Sequence, residues 1–141
     1  MRSLYVPLLM ATMWCTTDAS AHCEIPRGIY GDDARFSSIF EDIETIHKSM
    51  TKINELSSTP GEANQLVRWV NNKETHANRI REVVTQYFMT QRIKIQDFSD
   101  EKAVASYHDK LALLHQMLVY AMKCKQTTDS ANADRLHELT H

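Results

Sequence analysis

The pair His22-Cys23 sets an imidazole beside a thiol, directly after Ala19-Ser20-Ala21, which has the A-x-A form of a leader-peptide cleavage site. Cleavage after Ala21 makes His22 the first residue of the mature chain and gives it a free α-amine. That amine, the amide nitrogen of Cys23 and the Cys23 thiolate then close two fused five-membered chelate rings in one plane. The His22 imidazole is a further donor. A tetragonal nitrogen and sulfur set suits Ni(II) or Cu(II) better than Zn(II), which prefers a tetrahedron. Pro26 and Gly28 bend the arm around the ion. The chemistry depends on processing, because an uncleaved chain has no amine at His22.

The residues ahead of the pair fit a leader. Arg2 supplies a basic start, and Leu4 to Cys15 is an apolar run too short to span a bilayer. Bulky Met13 and Trp14 precede Cys15 where a lipidation site would carry small residues. Export to the periplasm or the medium is therefore expected, with no membrane attachment after cleavage. Loss of the leader removes Cys15 and leaves Cys23 and Cys124, which in an oxidising compartment have the option of pairing as a disulfide.

The rest of the chain must position this arm. Of 141 residues, 43% are hydrophobic and 24% charged, with only three Gly and three Pro, a composition that favours helices. A formal net charge of -2 gives no basic face for a nucleic-acid partner. Residues 22–31 form a turn-rich arm, broken by Pro26, Gly28 and Gly31. Asp32 and Asp33 are expected to cap a first helix, whose stripe runs Phe36, Ile39, Phe40, Ile43, Ile46, Met50 and Ile53 to a break at Ser57–Gly61. A second helix carries Leu66, Trp69, Val70, Ala77, Ile80, Val83, Val84, Tyr87 and Phe88, followed by a connector around Arg92 to Asp97. Ser99, Asp100 and Glu101 open a third, with Val104, Tyr107, Leu111, Leu114, Leu118 and Ala121 inward and Cys124 near that face. Thr127 to Ser130 breaks the pattern before a short fourth helix with Ala133, Leu136 and Leu139. The reading is an all-α, up-and-down four-helix bundle over 32–141, behind a leader (1–21) and an N-terminal metal-binding hook (22–31). The other six histidines are scattered along these helices and read mostly as surface or satisfied core residues, not as zinc or di-iron ligands.

The run His22-Cys23-Glu24-Ile25-Pro26-Arg27-Gly28-Ile29-Tyr30 resembles the hook of the nickel superoxide dismutases, His-Cys-x-x-Pro-Cys-Gly-x-Tyr. The runs Trp69 to Ile80 and Gln86-Tyr87-Phe88 are similar to that family too. The resemblance implies a four-helix bundle assembled as a homohexamer, one nickel per hook, and dismutation of superoxide by Ni(II)/Ni(III) cycling. Carried over by position, His22 supplies amine and axial imidazole, and Cys23 supplies amide and thiolate. Tyr30 and Tyr87 match tyrosines that line the approach to the metal and order water there, while Pro26 shapes the mouth of the pocket. His76 occupies a helix-two position that supports the axial histidine.

Two positions depart from the pattern. Arg27 stands where the second cysteine belongs, and a guanidinium has no lone pair to give a metal. Loss of that thiolate should raise nickel's potential and weaken its retention, leaving copper, or no metal, as alternatives. Arg27 does keep a charge that attracts an anionic substrate. On the first helix, Ser37 stands where the family commonly places a carboxylate behind the axial histidine. The alternative function is a catalytically silent exported bundle that binds metal without turnover or carries a structural Cys23–Cys124 disulfide.

Overall fold

A computed structural model describes residues 31–141 of the chain. The leader and residues 22–30 of the hook, with His22, Cys23, Pro26, Arg27 and Tyr30, lie outside the described residues. Four helices follow in order: α1 (Asp32–Leu56), α2 (Ala63–Glu82), α3 (Glu101–Gln126) and α4 (Ala131–Thr140). The described residues contain no strand, so the all-α reading holds. Each helix packs on the next and α4 returns to α1, which closes the bundle.

Helix α1 buries Ile39, Ile43, Ile46, Met50 and Ile53, as its three- and four-residue spacing predicts. Phe36 and Phe40 cover the edge of that stripe. The two aspartates do not cap it. Gly31 is the N-cap and makes no side-chain cap hydrogen bond; Asp32 and Asp33 lie in the first turn, where their charge suits the helix dipole. The chain reverses after α1 through Gly61, whose φ of 87° favours a residue without Cβ. Helix α3 is capped as expected: an Asp100 carboxylate oxygen accepts from the amides of Lys102 (3.0 Å) and Ala103 (3.2 Å).

Two features depart from simple periodicity. Val70, expected inward, is exposed, and the buried position on that part of α2 belongs to Lys73. Helix α2 also does not end at Glu82. It continues as a π-helix over Val83–Arg92, with backbone and side-chain bonds reaching back five residues: Ile93 N to Phe88 O (3.0 Å) and Thr90 Oγ1 to Thr85 O (2.7 Å). The wider turn lets adjacent residues face the core together, so Val83 and Val84, then Tyr87 and Phe88, are all buried. Helix α3 packs mainly through its second half: Leu114, Met117, Ala121 and Cys124 are buried, whereas Val104, Tyr107 and Leu111 are only half-buried.

Candidate functional site

Residues 22–30 precede Gly31, where α1 begins beside the end of the π-helix. Tyr87 is buried there, and its hydroxyl donates to Asp32 Oδ1 at 2.6 Å. Arg92 Nη2 holds the other carboxylate oxygen, also at 2.6 Å. The hydrogen bond from Tyr87, aided by Arg92, keeps the Asp32 carboxyl below its ordinary range. The same bond, reinforced by burial, pushes the Tyr87 phenol up. Arg35 lies over the Tyr87 ring, its guanidinium carbon 5.3 Å from the ring centre, within range of a cation–π contact. Tyr87 therefore holds its proton through neutral pH, and its hydroxyl is already committed to a carboxylate one residue from the arm.

Arg35 also lines a cavity of about 400 Å³ between α1 and α2, shared with Ser38, Asp42, His76 and Arg79. His76 Nδ1 lies 2.5 Å from Asp42 Oδ1, and Asp42 is buried. Burial pushes the Asp42 carboxyl up; the hydrogen bond from His76 and the charges of His76 and Arg79 oppose it only in part. A carboxylate of α1 thus backs His76 of α2. Ser37 is exposed, and the buried acid is Asp42, more than a turn further along. With Nδ1 tied to Asp42, the Nε2 of His76 is the ring atom left for another partner.

Charge around the cavity is nearly balanced, Arg35 and Arg79 against Glu41, Asp42 and Glu82. The described residues place no excess of cations at this cavity, whereas a second one, lined by Arg92, Lys94 and Lys110, is basic and has no carboxylate in its lining. Nor do the described residues contain a group of three or more His, Cys, Asp or Glu side chains placed to hold a metal ion. A metal at this end would take its ligands from the arm, where the donors of His22 and Cys23 fit a tetragonal ion and Arg27 does not.

Cys124 lies elsewhere. It is fully buried in the core, and burial pushes its thiol up to about 11. Its carbonyl oxygen accepts from Lys73 Nζ at 2.7 Å, and that of Lys125 accepts from the same atom at 2.5 Å. Among the described residues Cys124 is a free thiol.

Contrary to the expectation of isolated helical histidines, His137-Glu138-Leu139-Thr140-His141 is an H-E-x-x-H run and Glu44-Thr45-Ile46-His47 an E-x-x-H run. His47 Nε2 pairs with Asp134 at 3.0 Å. The rings of His137 and His141 lie 4.8 Å apart. Pattern matching alone, with the spacing that places i and i+4 on one helix face, finds both runs.

Compared with known proteins, residues 17–141 match the family model described as nickel-containing superoxide dismutase, a span that takes in the arm and all four helices. No curated protein and no solved structure matches the chain.

Proposed function

Since the chain belongs to the nickel-containing superoxide dismutase family, we propose that it is an exported nickel superoxide dismutase-like protein whose hook works with one thiolate fewer than usual. The observation that carries this reading is the extent of the family match, which runs through the hook and across the bundle. Nickel, when bound, supplies a Ni(II)/Ni(III) couple that takes an electron from one superoxide and gives it to the next. The chain's part is to hold and surround that ion. His22 contributes amine and imidazole, and Cys23 contributes amide and thiolate. Pro26 shapes the mouth, with Tyr30 and Tyr87 lining the approach. His76, braced by Asp42, is the supporting residue on α2. Arg27 draws the anionic substrate. Export rests on the Ala19-Ser20-Ala21 signature, and a homohexameric assembly rests on the family resemblance.

Arg27 favours a second reading, a silent scaffold that has kept the bundle and lost turnover. Cys124 is a poor substitute ligand, because its thiol is buried and held protonated, whereas a metal needs the thiolate. The same burial argues against a Cys23–Cys124 disulfide, which would require the core to open.

The test is expression with the native leader, a mass measurement to establish that the product begins at His22, and nickel content and superoxide turnover on that sample beside Arg27→Cys. The expected result is measurable turnover in the unaltered protein, with higher nickel retention and activity in Arg27→Cys. Activity found only in Arg27→Cys would establish the silent scaffold instead.

A further inference from the structure

The H-E-x-x-H run at the end of the bundle is not among the residues assigned to the hook. His137 lies on α4 and His141 caps its C-terminus. Both rings rest on Phe40 of α1, at centroid distances of 5.0 Å and 4.8 Å. Phe40 therefore holds the two imidazoles on one side of the helix. Among the described residues neither ring has a hydrogen-bond or ion-pair partner, in contrast to His47, which has Asp134, and His76, which has Asp42.

Their spacing fits a shared ion. A nitrogen about 2.0–2.1 Å from a metal puts the imidazole centre roughly 3.2 Å from it, so two rings on one ion are about 4.5 Å apart at a right angle and about 5.2 Å at the tetrahedral angle. The observed separation is 4.8 Å. We infer that His137 and His141 form a second metal site, a two-histidine chelate for a borderline divalent cation such as Zn(II), Ni(II) or Cu(II), with water in the remaining positions.

The motif does not make the protein a zinc peptidase. That chemistry needs a third protein ligand and a glutamate free to act as base. No third ligand is grouped with the pair among the described residues, and Glu138 is engaged with Arg135 at 2.7 Å. The site is open and bidentate. It would add an ion to any metal count of the whole protein, so nickel bound here would inflate the occupancy assigned to His22 and Cys23.

The experiment is a Zn(II) titration of the full exported protein, purified without a polyhistidine tag, beside His137→Ala, His141→Ala and the double variant. All four proteins carry the same hook residues. His141 is exposed and lies past the last helical residue, so its removal leaves the fold intact; far-UV circular dichroism checks the others. The double variant should bind one equivalent fewer than the unaltered protein. Each single variant should lose at least about tenfold in affinity at that site, because the second ligand of a chelate acts at high effective concentration. Sub-stoichiometric Cu(II) should broaden the Phe40 ring resonances in the unaltered protein and not in the double variant. Equal stoichiometry in all four proteins, or single variants that lose only about half the affinity as independent imidazoles would, overturns the inference.

Discussion

Lys73 and Tyr87 lie about four turns apart on the second helix, are equally buried, and each carries one polar group across to another helix. Lys73 reaches the end of α3, where its ammonium satisfies the carbonyls of Cys124 and Lys125. A helix end has such carbonyls to spare and its dipole favours a cation there; Glu74, 3.2 Å away, balances the rest of the charge. Tyr87 reaches the start of α1, but its partner Asp32 is a side chain, partly open to solvent and shared with the exposed Arg92. The backbone partners of Lys73 cannot leave. The partners of Tyr87 are side chains near the surface and can turn away. Both regions are equally polar; what separates structural from functional is whether the partners can be exchanged.

The comparison is broken most severely at Lys73. Lys73→Met should cost about 2–3 kcal/mol, since it strands buried carbonyls while Glu74 keeps Lys125 at 3.4 Å, and thermal or urea denaturation would register it. Next comes Cys124, whose own carbonyl belongs to the same contact. Cys124→Ser should cost about 1–2 kcal/mol by placing an unmatched hydroxyl in the core, while the native thiol, pushed up to about 11, should resist alkylation at neutral pH until the protein unfolds. Ready alkylation in the folded state would mean that this end of the bundle opens as easily as the other.

The smallest effect belongs to the exchangeable end. Tyr87→Phe should cost no more than about 1 kcal/mol, because Asp32 keeps Arg92 and water. Its pH dependence has a definite sign. The folded Asp32 carboxyl is held below its unfolded value, so its contribution is present above about pH 3.9 and fades as the pH falls through the lower folded value. The unaltered protein and Tyr87→Phe should thus differ in stability at neutral pH and converge in acid. A difference that persists in acid would show that Tyr87 stabilises the bundle by packing rather than through Asp32.

Much of this was legible in the sequence. The Phe36 to Ile53 stripe, the Asp100 cap and the inward face of Cys124 follow from spacing and capping preferences that tertiary context did not override. Lys73 escaped because periodicity scores a lysine as polar, whereas here helix α3 supplies partners that only the fold brings near. Val70 is apolar and exposed for the complementary reason: Lys73 takes the inward position one turn on. Met117 lies among residues already assigned to the α3 stripe, and was passed over in favour of Leu118, which is only half-buried. Sequence reading singles out His76 but not its partner, because only the crossing of α1 and α2 brings Asp42 to the imidazole. The histidine pair on α4 needed no structure at all, only a search of the last five residues for H-E-x-x-H.

The π-helical turns ending at Arg92 act as a gear between two registers. Hydrogen bonds that reach back five residues set each turn behind the phase an α-helix would keep. Tyr87 lies within these turns, and its hydroxyl reaches Asp32 from them. Deleting a single residue from 83–86 would turn the phenol by about a quarter turn against the preceding part of α2, and away from Asp32.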